Sequence, residues 1–360
     1  MLQKALVLVF ALASIASCIG CGSTSSHYVY ATIPAASQVV AYREDPNSAV
    51  LTQIAGSPYV AGDGADSLVL HPSGKFLYVA NPGQSENDIS LFTIASNGAL
   101  TEMFPRTSIG LGSLPKFMAI DLAGGFLYVA NVQSNDISVF SIDSGSGALT
   151  PVAGSPFSIG LTPLNMQLTP AGNYLYVSAA STTHGWIAGF SVGAGILQPQ
   201  AVSLISSDGL NPNGLAIDPS GTYLYAANSS SNSISTFTIA PSGALTEVAG
   251  SLLNDIYTDP FALMLDRSGK YLYVANQTSN NVALYPIGAN GVPATSTTTY
   301  AFPTESSPSF LVTDPSGKYL FVGNQGSSAG IQSFGVSNGN LTSLSTYGVG
   351  NTPSSIAVLQ

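Results

Sequence analysis

The feature that most constrains this chain is a repeat of 48 to 50 residues that runs through almost its whole length. Each copy resembles the segment Asp266-Arg-Ser-Gly-Lys-Tyr-Leu-Tyr-Val-Ala-Asn276, and its turn glycine falls at position 74, 124, 172, 221, 269 or 317. A period of this size, in a chain with many short apolar runs, is typical of the four-stranded blades of a β-propeller. We therefore predict an all-β fold built from stacked blades.

Each copy contains four short runs separated by turn signals. The first run follows a proline and ends at an Asp-Pro-Ser-Gly turn, and the second is the Leu-Tyr-Val-Ala run. Residues 137–142 show the third run and residues 243–248 the fourth. The second and third runs are apolar almost throughout, which indicates sheets that are covered on both faces, as in radially stacked blades.

The repeat predicts seven four-stranded blades over residues 27–360. The C-terminal segment 353–360 supplies one strand, whereas the N-terminal segment supplies only three, at 28–31, 38–42 and 51–54. Pairing the C-terminal strand with these N-terminal strands would complete the seventh blade and close the ring with no exposed sheet edge. Because such a ring buries its core without a partner, we expect a monomer. The six complete units begin at Asp66, Pro115, Pro163, Pro212, Pro260 and Pro308.

The composition excludes two classes of protein. Eight Lys and Arg residues against 18 Asp and Glu give a net charge of −10, so no basic surface is available to bind nucleic acid. Hydrophobic residues make up 45% of the chain, which argues against disorder. The sequence also lacks phosphate-binding glycine loops, paired Cys or His metal motifs and Gly-x-Ser-x-Gly elbows, so we expect neither a cofactor nor a metal.

The N-terminus predicts export. Residues 1–17 resemble a signal peptide, with a lysine before an apolar core that is too short to span a bilayer. Ile15-Ala16-Ser17-Cys18 resembles a bacterial lipobox, so Cys18 is the expected lipidation site and Cys21 the alternative. Residues 18–26 would then form a lipidated tether that is the protein's sole membrane attachment, on the periplasmic or the outer-membrane and cell-surface side. An ordinary secretory signal, cut without lipidation, is the competing interpretation.

We expect a ligand site where loops open around the central channel. Side chains that end the second strand of five blades could offer amide groups to a polar ligand, although Asn also favours bonds within its own loop. The residue after each leading proline should line the channel mouth, and among these Asn213 is a further polar candidate and Lys116 the one cation. The five amide candidates are Asn81, Asn131, Asn228, Asn276 and Asn324.

Two residues stand out as catalytic candidates. Lys116 could stabilise a carboxylate or an oxyanion, or pair with a neighbouring acid. His184 lies in a long loop of the fourth blade beside Trp186, the single tryptophan, and is the most plausible imidazole for acid–base chemistry. We therefore treat Lys116 and His184 as candidate catalytic residues and Trp186 as a candidate ligand contact. An exposed histidine in a variable loop is the alternative.

The repeated units resemble the lactonase family of bacterial seven-bladed propellers, which includes 6-phosphogluconolactonase and carboxymuconate cyclase. The resemblance rests on Gly-Ala-Leu-Thr and Tyr-Leu-Tyr-Val-Ala-Asn motifs over about residues 27–360, and the latter is also similar to the Tyr-Val-Thr-Asn repeats of surface-layer proteins. It implies hydrolysis of a lactone or a sugar lactone. Family members typically carry Arg-His after a leading proline, where this chain has Lys116-Phe117, and often Asn-Glu at the end of a second strand, which is not found here.

These observations leave two functional hypotheses. One is an exported, lipid-anchored hydrolase that acts on a small lactone or binds a sugar acid. The other is a non-catalytic binding or scaffold propeller outside the cytoplasm, which holds an envelope glycan or protein. The family resemblance favours the first hypothesis, and the missing Arg-His and Asn-Glu pairs favour the second.

Overall fold

The computed structural model describes residues 27–83, 87–110, 113–181, 183–207, 209–254, 257–294 and 300–359. The predicted signal peptide and tether, with Cys18 and Cys21, lie outside these residues. In the described part of the chain no helix is long and apolar enough to cross a membrane. Its helical content is two short 3₁₀ turns, Pro34–Ala36 and Ser229–Ser231.

Seven antiparallel sheets form the blades of a propeller, which confirms the predicted fold. Blade I contains β1 (His27–Ile33), β2 (Gln38–Glu44), β3 (Leu51–Gln53) and β4 (Tyr59–Val60). Blade II contains β5 (Ser67–Leu70), β6 (Phe76–Pro82), β7 (Asn87–Ile94) and β8 (Leu100–Ser108). Blade III contains β9 (Pro115–Ile120), β10 (Phe126–Asn131), β11 (Asp136–Ile142), β12 (Leu149–Pro151) and β13 (Phe157–Ser158). Blade IV contains β14 (Thr162–Leu168), β15 (Tyr174–Ala180), β16 (Gly185–Gly193) and β17 (Ile196–Ser206).

The last three blades continue the same order. Blade V contains β18 (Pro212–Ile217), β19 (Tyr223–Asn228), β20 (Ser233–Ile239), β21 (Leu245–Glu247) and β22 (Leu253–Asn254). Blade VI contains β23 (Pro260–Leu265), β24 (Tyr271–Asn276), β25 (Asn281–Pro286) and β26 (Tyr300–Pro303). Blade VII contains β27 (Pro308–Thr313), β28 (Tyr319–Asn324), β29 (Gly330–Ser337) and β30 (Asn340–Gly348), and β31 (Ser355–Leu359) follows it. In blades I, III and V the outer strand is divided into two short pieces that both pair with the third strand.

The ring is closed as the sequence predicts, because β31 pairs with β1 and becomes the innermost strand of blade I. The antiparallel register runs from Tyr28 opposite Leu359 to Thr32 opposite Ser355. The Ser354 N–H also donates to the Thr32 carbonyl at 3.1 Å. Both ends of the propeller are thus held in one sheet.

The turn between the first two strands follows the expected chemistry. In blade VII, Asp314 Oδ1 accepts a hydrogen bond from the Tyr319 N–H at 2.8 Å, and Oδ2 accepts one from the Ser316 N–H at 2.9 Å. Gly317 takes a φ of +71°, which glycine adopts at little steric cost. The aspartate therefore fixes the hairpin that sets the second strand in place.

Tyrosines of the second strands join neighbouring blades. The Tyr225 hydroxyl is fully buried and donates to the carbonyl of Gly291, in a turn of the next blade, at 2.7 Å. Tyr30, Tyr78, Tyr176 and Tyr273 make the equivalent bond to a turn glycine at 2.7 to 2.9 Å. These tyrosines are packing residues, and they add a directional contact to each interface that they bridge.

Candidate functional site

A cavity of about 420 Å³ lies at the centre of the ring, where the first strands of the blades converge. All seven residues that occupy the position after the leading residue of a blade line it. The predicted location of this set around the channel is therefore correct. They are Ser67, Lys116, Leu164, Asn213, Phe261, Ser309 and Ser354.

The charged centre of this cavity is an ion pair between Lys116 and Asp66. The Lys116 Nζ atom lies 2.8 Å from Asp66 Oδ2, and the two side chains are 42% and 14% exposed. Both residues also line a second cavity of about 520 Å³, which they share with Pro34, Pro82 and other residues of the loops above the channel. The ion pair therefore borders both cavities.

Asp66 is held in a fixed position by its own backbone. Its N–H donates to the Ala80 carbonyl at 2.9 Å, and its carbonyl accepts hydrogen bonds from the hydroxyls of Thr32 and Ser354. The carboxylate therefore projects from an anchored backbone toward Lys116. Pre-positioning of this kind reduces the reorganisation that a reacting group needs.

The wall of the cavity has a polar and an apolar side. Near the ion pair, the Gln325 side chain donates to the Pro353 carbonyl at 3.2 Å. Asn165 donates to the Asn213 carbonyl at 2.9 Å, and the Asn213 amide is in turn bonded to Ser229. Apolar side chains cover much of the remaining surface, which is the usual mixture in a small-molecule site. They are Leu68, Phe117, Met118, Leu164, Met166, Phe261, Leu263, Phe310, Leu311 and Ile356.

An ion pair between Lys116 and a neighbouring acid is one of the two roles predicted for this lysine, but the sequence did not identify Asp66 as the acid. The sequence does mark Asp66 as unusual, because it occupies the position at which the other six blades carry a leading proline. Gln325 and Asn165 were also missed as lining residues. Their location depends on how far each inner strand extends into the channel, which the repeat alone does not specify.

The five asparagines at the ends of the second strands do not face the cavity. All five are 0% exposed, so the predicted ring of amides is not presented to a ligand at the channel mouth. Asn131 shows the reason, because its amide donates to Asp136 at 2.7 Å and to Ser138 at 2.9 Å within its own hairpin. The amides of Asn81, Asn228, Asn276 and Asn324 are likewise bonded within their own blade.

His184 and Trp186 lie away from Lys116. His184 is exposed in the loop before β16, where its Nδ1 contacts the Thr183 hydroxyl at 2.9 Å. Its ring lies 5.7 Å from that of Trp186, whose indole N–H donates to Ser181. Neither residue lines the central cavity, so the structure does not bring His184 together with Lys116.

This arrangement can polarise a carbonyl and take up a proton. An ammonium group next to the cavity can stabilise a developing oxyanion, and an adjacent carboxylate can accept a proton from water. Among the described residues that line the cavity, Lys116 is the only cation and no histidine contributes. The candidate chemistry therefore rests on the pair of Lys116 and Asp66.

Comparisons with known proteins agree with the fold. A family model described as "Lactonase, 7-bladed beta-propeller" matches residues 22–160, 163–255 and 258–358. A 6-phosphogluconolactonase of Formosa agariphila is 44% identical over 63 residues, which is 17% of this chain and 17% of that protein's length.

Two solved structures are similar over nearly the whole chain. A candidate 6-phosphogluconolactonase from Bacteroides fragilis has a TM-score of 0.81 at 20% identity, covering 94% of this chain and 99% of its own. The periplasmic gluconolactonase of Pseudomonas aeruginosa has a TM-score of 0.79 at 18% identity, covering 93% and 99%. At these identities the likeness concerns the fold.

Proposed function

We propose that this chain, which belongs to the lactonase family of seven-bladed β-propellers, hydrolyses a small unphosphorylated lactone in its central cavity. The observation that carries the proposal is the pair of Lys116 and Asp66, 2.8 Å apart at the edge of that cavity. The pair combines an electrophilic group with a proton acceptor, which are the two functions that lactone hydrolysis needs.

The reaction follows from these two groups. Asp66 takes a proton from a water molecule, whose oxygen attacks the lactone carbonyl carbon. Lys116 stabilises the negative oxygen of the tetrahedral intermediate. The intermediate then collapses, the ring C–O bond breaks, and the leaving oxygen takes the proton from Asp66. The product is the open-chain hydroxy acid, which ionises in water.

The cavity favours a sugar lactone without phosphate. Its volume of about 420 Å³ is within the range of small-molecule sites, and its wall offers both amide and apolar surface. A phosphate group would need more cations than Lys116, which is already paired with Asp66. The name of the similar P. aeruginosa protein, a periplasmic gluconolactonase, supports the lactone of an unphosphorylated sugar acid as the first substrate to test.

The test measures hydrolysis of sugar and aliphatic lactones by the purified protein, corrected for spontaneous hydrolysis. We expect Lys116→Met and Asp66→Asn each to lower kcat by about 100-fold or more, as loss of an oxyanion donor or a general base does. Lys75→Met is the matched control, because Lys75 is an exposed lysine in the turn before β6. Activity that survives both cavity substitutions, or a wild-type rate equal to the spontaneous rate, would refute the proposal.

A second candidate is binding without turnover. It is favoured by the absence of histidine among the described cavity residues and by the missing Arg-His and Asn-Glu pairs of active family members. In that case a sugar acid or an envelope glycan would raise the unfolding temperature of the wild type but not of Lys116→Met. No lactone would be consumed in the same samples.

We also propose that the chain is exported and anchored through a lipid on Cys18. The support is the signal-like segment 1–17 and the lipobox-like residues before Cys18. Labelling cells with a radioactive fatty acid tests this directly. Incorporation should be lost in Cys18→Ser and kept in Cys21→Ser, and the reverse pattern would assign the anchor to Cys21.

A further inference from the structure

A buried cluster of ionisable side chains lies at the seam between blade I and blade VII, outside the central cavity. His27 begins β1, Glu44 ends β2 directly opposite it, and Asp314 belongs to the turn after β27. The exposed fractions of His27, Glu44 and Asp314 are 8%, 1% and 0%. One nitrogen or oxygen from each residue lies within 4.8 Å of the other two.

Comparison with the other blades shows how unusual Glu44 is. The equivalent of Glu44 in blade II is Ile94, whose backbone N–H donates to the Lys75 carbonyl. In blade I, Glu44 takes this position in the hairpin, opposite His27. Every other blade has Ile or Val where blade I has Glu44. A carboxylate thus replaces a branched aliphatic residue at the seam alone. The aliphatic equivalents are Ile94, Ile142, Val192, Ile239, Ile287 and Val336.

Three polar atoms of this cluster, on His27 and Glu44, are not satisfied by hydrogen bonds. His27 Nδ1 and both carboxylate oxygens of Glu44 are buried and have no hydrogen-bond partner. Burial and the nearby Asp314 carboxylate also raise the pKa of Glu44, to about 8. When both carboxyl groups are ionised, the imidazole alone cannot balance their charge, so the cluster is costly unless it takes up a proton or a cation.

We propose that His27, Glu44 and Asp314 form a binding site for a divalent transition-metal ion, of which Zn²⁺ is the best fit. The Nδ1 atom of His27 is 3.4 Å from Glu44 Oε2 and 4.0 Å from Asp314 Oδ2. Two ligands in a tetrahedral zinc site are separated by about 3.4 Å when the bonds are about 2.1 Å long. The first of these distances already matches that geometry.

The donor set selects the class of metal. One imidazole and two carboxylates suit zinc and related transition metals, whereas Ca²⁺ takes about six to eight oxygen ligands and Mg²⁺ needs an octahedral set of oxygens. Hydrogen bonds from Ser316 and Tyr319 already orient the Asp314 carboxylate, as outer partners do in known zinc sites. A metal bound here would join the first hairpin of the propeller to its last blade, and so would reinforce ring closure.

The experiment measures metal binding by the full chain after chelator treatment, with calorimetric titration by ZnCl₂ and metal analysis of the dialysed protein. We expect one Zn²⁺ per chain and a higher unfolding temperature with ZnCl₂ than with MgCl₂ or CaCl₂. Replacing a ligand by His27→Gln or Glu44→Gln should lower affinity by more than about 100-fold, since even outer partners contribute about 10- to 100-fold. Cys18→Ser/Cys21→Ser should bind like the wild type, which excludes the N-terminal thiols.

Two further variants keep the proposal falsifiable if Glu44→Gln folds poorly. Glu44→Ile restores the residue type of the other blades, so it should fold well and lose both zinc binding and the zinc-dependent rise in unfolding temperature. Glu102→Gln removes a carboxylate that is not part of this cluster and that pairs with Arg106, so it should leave zinc binding intact. A wild type that binds no zinc, or a Glu44→Ile variant that binds it as tightly, would overturn the proposal.

Discussion

Removing one tyrosine hydroxyl tests how the blades are held together. Tyr225→Phe deletes the bond of 2.7 Å between that hydroxyl and the Gly291 carbonyl, at a position with no solvent exposure. The lost bond and the carbonyl left without a partner should together lower the free energy of unfolding by about 1–2 kcal/mol. The ring itself keeps its packing, so we expect the fold to be unchanged.

Tyr128 provides a matched control within the same chain. It occupies the equivalent place in blade III and is also fully buried, but its hydroxyl has no hydrogen-bond partner. Tyr128→Phe should therefore be neutral or slightly stabilising, within about 0.5 kcal/mol, because it removes a buried polar group that makes no bond. Blade VII already has Phe321 at this position.

The assay is urea unfolding followed by the fluorescence of Trp186 and by circular dichroism. Coincident curves and an unchanged dependence of the free energy on urea would show that the two variants and the wild type unfold between comparable states. If Tyr128→Phe destabilises the protein as much as Tyr225→Phe, the hydroxyl-to-carbonyl bond is not the source of the effect. The reasoning about the interblade contact would then be wrong.

Three further outcomes are expected. Burial raises the pKa of Tyr78 and Tyr273 above the usual value of 10, so the folded protein keeps protons that the unfolded chain releases. These tyrosines should therefore contribute their full stabilisation of the folded state below about pH 10 and lose it progressively at higher pH. A urea midpoint that does not change between about pH 9 and about pH 11 would contradict this. Asn131→Ala should lower the free energy of unfolding by about 1–3 kcal/mol in the same assay, because it breaks two bonds within a hairpin, one of them to a carboxylate. Deleting residues 353–360 removes β31 and exposes the edge of β1, so we expect aggregation in size-exclusion chromatography, and a monomeric folded product would refute the role of ring closure.

Much of the fold could be predicted from the sequence because the repeat reports the same structural unit many times. Turn glycines and apolar runs recur in all six copies, and each turn glycine follows Asp-Pro-Ser or a variant of it. The unequal ends leave one way to complete the last blade. The strands that the structure forms begin and end close to the predicted runs. β31, for example, covers Ser355–Leu359 within the predicted segment 353–360.

The candidate site was harder to predict for two physical reasons. First, the ring brings together residues that are far apart in sequence, such as Asp66 and Lys116, and a repeat does not specify which side chains meet across the channel. Second, an asparagine at the end of a strand can bond to its own hairpin or to a ligand. The choice depends on burial, and the 0% exposure of Asn131 decides it in favour of the hairpin.

Departures from the repeat are the most informative positions in such a chain. Asp66 replaces a leading proline and Glu44 replaces a core aliphatic residue, so in both places a blade carries a carboxylate that its equivalents lack. Their surroundings differ in charge. The Asp66 carboxylate lies 2.8 Å from the Lys116 ammonium group at the edge of the central cavity. The two charges balance each other, which suits a neutral polar substrate. Glu44 lies beside the Asp314 carboxylate and the His27 imidazole, and its own oxygens accept no hydrogen bond, so its buried charge must be balanced by a proton or a bound cation. The same comparison between blades therefore predicts a neutral ligand at the channel and a metal ion at the seam.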